Sequence, residues 1–195
     1  MTPLSATYAL WAAWALSWGL AAGWSKAAAA RPAVKDELAY RAAVAIGYLL
    51  VFTSARRAAL GLPIDSPLWR LGGAAGWALF AFAGAGFAAS WWARLALGPL
   101  WSGSVTRKED HRIVETGPYR WVRHPIYTGL LAATFATVVE MATPMAIAGF
   151  GVVVVGMWLK ARLEERFLSQ ELGPEAYRDY QRRTPMLAPF WPGRR

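Results

Sequence analysis

The chain contains no cysteine and only two histidines. Disulfide frameworks, cysteine-ligated zinc and a cysteine nucleophile are thereby excluded, and two histidines set far apart in charge-rich sequence make a poor metal site. Charge is scarce as well: 17% of the 195 residues are Asp, Glu, Lys or Arg, against about 25% in a typical soluble domain. A Gly-x-Gly-x-x-Gly fingerprint is absent, so no nucleotide is held here as a Rossmann fold would hold it. In place of charge stand runs of Ala, Leu, Val, Gly and Trp, with 56% apolar residues and 12 Trp. That composition belongs to an integral membrane protein.

The charge that is present is unevenly placed. The formal net charge is +9, and 14 of the 21 lysines and arginines fall in residues 94–123 and 160–195. Segments held at the anionic inner face of a bilayer have this distribution. A nucleic-acid surface would instead show a basic stripe with interleaved aromatics on a soluble scaffold, so no nucleic-acid partner is expected. The Arg-rich, Ala-rich composition points to a bacterial source, and hence to the inner membrane.

Residues 4–24 form an uncharged run long enough to cross a hydrocarbon core of roughly 30 Å. No positive charge precedes it, so it reads as a span and not as a cleaved leader. Within it Gly19 and Gly23 have the spacing of a close helix contact. A polar loop, 25–37, leads to a second span at 38–53, and the sequence GLPIDSP at 61–67 marks a break. A third apolar run covers 68–97, with Trp69, Trp91 and Trp92 near its ends as an aromatic belt places them. Residues 125–141 and 145–159 read as a helical hairpin around an uncharged turn at 142–144. The positive-inside rule puts that turn outside and the charged open ends in the cytoplasm, with the N-terminus outside; Arg56, Arg57 and Arg70 oppose this orientation. After the last span a polar helical continuation stops at Gly173-Pro174. A short helix follows at 175–183 with Tyr177 and Tyr180 on one face, then an extended apolar strip at 184–192 along the membrane or the protein. The expected fold is therefore all-α and polytopic, with about five transmembrane helices and a cytoplasmic helical extension. Residues 1–98 supply three spans, and residues 99–195 supply the functional core.

Both histidines, His111 and His124, lie in the polar segment RKEDHRIVETGPYRWVRHPIYTG at 107–129. Titratable groups concentrated between membrane-grade runs mark the candidate active site. His124 precedes Pro125, which favours the first position of a helix and disfavours helical geometry before it, so His124 should cap a helix. The start of that helix, with Arg120 and Arg123 beside it, would suit an anion such as a carboxylate. Because the last two spans form a hairpin, Glu164 and Glu165 return to the same face. One of them, Glu164, is expected to reach His124 and Tyr127. Glu140, at the far turn, reads as interfacial.

The run HRIVETGPYRWVRHPIYTG, followed by RLEERFL and YRDYQRRTPMLAPF, resembles the isoprenylcysteine carboxyl methyltransferase family over roughly residues 100–192; its first two elements are shared with phospholipid methyltransferases. The resemblance implies an S-adenosylmethionine-dependent enzyme releasing S-adenosylhomocysteine. It assigns the cofactor to Ser104, His111, Arg112, Ile113, Val114, Tyr119, His124, Pro125, Ile126, Tyr127 and Glu164. It assigns substrate-side roles to Lys160 with Arg162, and to Arg183 of the Arg182-Arg183 pair. The implied acceptor is a lipophilic, prenylcysteine-like molecule entering from the bilayer.

The chemistry is consistent with this. An acceptor carboxylate, with a reference pKa of about 4, is already ionised and needs a cationic partner and no base. An amine acceptor must first lose a proton, which would make His111 or His124 a base. N-methylation of a phospholipid headgroup or small amine is the alternative within enzymes, and a non-catalytic membrane scaffold is the alternative outside them.

Overall fold

The computed structural model describes residues 1–59, 66–108 and 112–189, without the side chains of 55–59. Most of the break expected at 61–67, His111, and the last residues of the 184–192 strip lie outside the described residues.

Among the described residues six α-helices carry the fold: α1 (Pro3–Leu20), α2 (Val34–Ala59), α3 (Gly73–Leu97), α4 (Pro125–Met141), α5 (Pro144–Leu172) and α6 (Pro174–Arg183). Among the described residues the β structure is one antiparallel ladder, β1 (Ala28–Ala30) with β2 (Arg107–Lys108). Helices α2, α3 and α5 are long and apolar enough to cross a membrane, and α4 is a shorter apolar helix. The protein is an all-α polytopic membrane protein.

Helix ends follow local chemistry. Pro3 opens α1 behind Thr2, whose hydroxyl accepts from Ser5 N at 3.2 Å. Ala142 ends α4 in the left-handed region at φ 56°, and Thr143 then caps α5 by accepting from Ala146 N at 3.2 Å. Two boundaries differ from the sequence expectation. Helix α2 starts at Val34 and not at 38, because Asp36 and Glu37 sit favourably in its first turn. The third helix starts at Gly73 and not at 68: Leu68 N donates to Ala142 O at 2.8 Å and the Trp69 indole to Val139 O at 2.9 Å, so this stretch is tied to the end of α4 instead of joining the helix.

The five long helices alternate in direction. At one end Thr7 donates to Glu140 (2.9 Å) and Ser54 pairs with Thr143 (2.8 Å), so the start of α1, the end of α2 and the α4–α5 turn lie together. At the other end Val105 N donates to Glu37 and Lys160 to Gly103 O. The bundle is apolar outside and partly polar inside. Leu16, Leu49, Phe82, Leu95, Phe135 and Val155 face outward, whereas Thr7, Ser54, Ser90, Thr134 and Thr137 are fully buried. Lipid needs no polar surface, and buried hydroxyls join helices: Trp11 and Trp14 donate to Thr137 (2.9 Å) and Ser90 (3.1 Å).

Small residues set the closest helix approaches. A Cβ added at Gly86 would meet Gly129 O at 2.6 Å, and one added at Gly149 would meet Gly47 O at 2.8 Å. Gly19 and Gly23, which the sequence spacing singled out, face open space. Gly129→Val should therefore separate α3 from α4 and cost roughly 1–3 kcal/mol, as overpacked cores do. Gly23→Val should leave the thermal midpoint of detergent-solubilised protein unchanged.

Candidate functional site

The hairpin returns α5 beside the start of α4, and the two adjacent glutamates of α5 take different partners. Glu165 is buried and receives a fork from Arg123, with Nε to Oε1 at 2.7 Å and Nη2 to Oε2 at 3.2 Å. The His124 Nε2 lies 3.0 Å from the same Oε1, and Gln181 of α6 donates to Oε2 at 2.9 Å. Arg123 also donates through Nη1 to the carbonyls of Gln181 (3.1 Å) and Thr184. The carboxylate that Arg123 and the start of α4 attract is thus the protein's own, and Arg120 is exposed, over the Trp121 ring.

The chain after α6 then lies along this junction. Arg123 N donates to Pro185 O (2.9 Å), His124 N to Met186 O (3.1 Å) and the Thr128 hydroxyl to Leu187 O (2.6 Å). The apolar strip expected along membrane or protein follows the protein through these residues. His124 occupies the cap position of α4 without a side-chain cap bond, because its imidazole is engaged by Glu165.

Glu164, one residue earlier, faces a cavity of about 420 Å³. The Tyr127 hydroxyl donates to its Oε2 at 2.6 Å, and His124 Nδ1 lies 3.8 Å away. The His124 and Tyr127 rings are parallel within 3°, with centroids 5.2 Å apart. One turn before Glu164, Lys160 donates to Gly103 O at 2.8 Å, with its ammonium 5.1 Å from the Tyr127 ring and 5.7 Å from the Tyr40 ring. Tyr119 is buried, and its carbonyl accepts from the Tyr180 hydroxyl at 2.7 Å. Burial pushes the phenols of Tyr119, Tyr177 and Tyr180 above their ordinary range, and Glu164 adds to this for Tyr119. These cavity tyrosines are neutral hydrogen-bonding surfaces at physiological pH.

Of the residues singled out in the sequence, Ser104, Arg112, Ile113, Val114, Tyr119, His124, Ile126, Tyr127, Lys160 and Glu164 line this one cavity. Pro125 is buried at the start of α4 and does not line it. Arg162 points away from the cavity and lies over the Trp158 ring at 5.4 Å. Arg183 is exposed and pairs with Glu115 at 3.0 Å, while Arg182 pairs with Asp179.

The cavity also draws on residues the motif did not indicate. Trp18 of α1 and Trp101 form part of its wall, and behind them lies buried Arg94, its guanidinium 4.7 and 3.5 Å from their ring centroids. Tyr40 and Arg41 of α2 line it too. Their only sequence signal was the Glu37, Tyr40, Arg41 spacing, which places three polar groups on one helix face.

A family model described as the isoprenylcysteine carboxyl methyltransferase (ICMT) family matches residues 79–170. The match begins within α3 and stops short of α6. The protein-S-isoprenylcysteine O-methyltransferase B of Arabidopsis thaliana is 34% identical over 87 residues, 44% of this chain and 44% of that protein. The methanethiol S-methyltransferase of Mycobacterium tuberculosis is 46% identical over 80 residues, 39% of this chain and 30% of that protein. The protein-S-isoprenylcysteine O-methyltransferase of Saccharomyces cerevisiae is 32% identical over 90 residues, 44% of this chain and 36% of that protein. The chain spans less than half the length of each of these relatives.

Proposed function

Since the stretch 79–170 belongs to the isoprenylcysteine carboxyl methyltransferase family, we propose that this integral membrane protein transfers a methyl group from S-adenosylmethionine to the carboxylate of a lipophilic, prenylcysteine-like acceptor. One observation carries the reading: the Tyr127–Glu164 pair and Lys160 line a single cavity together with apolar side chains of the loop and the bundle.

The lining residues fit the methyl donor. Its ammonium and ribose hydroxyls call for a carboxylate, supplied by Glu164, and its adenine calls for apolar and aromatic faces, supplied by Ile113, Val114, Tyr119 and Ile126. Ser104, Arg112, His124, Tyr127 and, by its place in the motif, His111 complete the proposed set, and Pro125 fixes the turn that presents them. When bound, S-adenosylmethionine supplies a methyl group already activated by its sulfonium and leaves as S-adenosylhomocysteine.

The protein's own groups position and desolvate. Tyr127 fixes the rotamer of Glu164, the buried walls exclude water, and Lys160 offers a cation to an anionic acceptor. An ionised carboxylate requires no proton transfer, which suits a site whose histidine is committed to a buried glutamate. In this reading the basic cavity end faces the cytoplasm, with the protein in the bacterial inner membrane.

A second reading, methylation of a small thiol, is favoured by the 46% identity to the methanethiol enzyme. Calorimetric titration of the detergent-solubilised protein with S-adenosylhomocysteine should give saturable binding, and well-folded protein that binds none would end the proposal. Incubated with labelled donor, the protein should methylate a farnesylcysteine acid, and leave methanethiol and phosphatidylethanolamine unlabelled. Labelling of methanethiol instead would establish the thiol reading.

A further inference from the structure

We propose that Arg41 of α2, held in place by Glu37, selects an anionic acceptor by forming a two-cation seat with Lys160. The inference rests on the methyltransferase reading and assigns a specificity residue to it. Glu37 is 7% exposed and its bonds are internal: Oε1 accepts from the Tyr40 hydroxyl (2.8 Å) and from Val105 N (3.2 Å), and Oε2 accepts from Arg41 Nη2 (2.7 Å). It works as an anchor. Arg41 keeps 53% of its side chain accessible and lines the cavity, so one edge of the guanidinium is spoken for and the rest can meet a ligand. Lys160 and Arg41 both lie against the Tyr40 ring, at 5.7 and 5.9 Å from its centroid. Val44 and Ala45 on α2, with Trp18 and Leu97, continue the wall from there into the bundle. An acceptor that fits both parts has an anionic head and an apolar body.

The matched family stretch begins at residue 79, so α2 lies wholly outside it. Relatives named for isoprenylcysteine and for methanethiol match over 87 and 80 residues respectively. Among the described cavity residues outside that stretch, Arg41 of α2 is the cation. A pair of cations at the mouth of a cavity walled by tryptophan and aliphatic side chains favours an acid over its neutral isostere, which offers neither of them a charge.

The test measures tryptophan fluorescence, for which Trp18 and Trp101 are reporters, as full-length protein is titrated with N-acetyl-S-farnesylcysteine and with its carboxamide. Wild type should bind the acid at least roughly tenfold more tightly, a difference of about 1.4 kcal/mol. Arg41→Gln, which leaves Lys160 in the seat, should lose most of that preference, and Arg41→Lys should keep more of it. All three should bind S-adenosylhomocysteine with the same affinity, which shows that the variants are folded. An undiminished preference for the acid in Arg41→Gln would overturn the proposal while leaving the methyltransferase reading intact. Absence of S-adenosylhomocysteine binding in wild type would overturn that reading instead.

Discussion

Arg123→Ala is expected to lose roughly 3–5 kcal/mol of stability, the penalty for stripping one partner from a buried ion pair. Arg123 and Glu165 have side-chain exposures of 8% and 5%, and the guanidinium joins α5 to two carbonyls at the end of α6. Without it Glu165 retains His124 and Gln181 and no permanent cation, and the segment from Thr184 loses its hold on the start of α4. Arg123→Lys should recover little, because a single ammonium cannot reproduce the fork and the two carbonyl contacts together. Thermal unfolding in detergent, followed by the Trp signal, checks this. A midpoint within a degree or so of wild type would mean that the tail is held by its backbone bonds alone.

The second large effect is on binding. Glu164→Gln preserves shape but removes the cavity's carboxylate, so affinity for S-adenosylhomocysteine should fall at least roughly thirtyfold, the lower end of what a buried charged partner contributes, about 2 kcal/mol. Tyr127→Phe should cost less, since it removes the hydrogen bond that orients Glu164 and leaves the charge. Calorimetry on both variants gives the order, and stability should change little because Glu164 is only partly buried. Equal losses would shift the weight of the site from the carboxylate to the tyrosine.

Much of this was legible in the chain because it was written in local chemistry. Proline at 125, 144 and 174 and glycine at 173 set helix boundaries through backbone geometry, which does not depend on the rest of the fold. The hairpin argument brought Glu164 to Tyr127 because two ends of a helical pair must meet. What was not legible depends on partners distant in sequence. Arg123 reads as a cation beside a helix start until the Glu165 carboxylate and the 184–187 segment occupy it. Arg162 and Lys160 are equally basic two residues apart, yet the helical turn sends one toward the cavity and the other to the outer face. Tyr40 and Arg41 sit in a span with no motif, and only the packing of α2 on α5 brings them to the site.

The stitching of residues 184–187 onto residues 123–128 has a temporal consequence. Arg123 precedes Thr184 by 61 residues, and a ribosome adding roughly 5–20 residues per second needs about 3–12 seconds to cover that distance. Until then a nascent chain has the hairpin without its brace, and a transcript cut short before codon 184 yields a polypeptide that can enter the bilayer without ever acquiring a finished pocket.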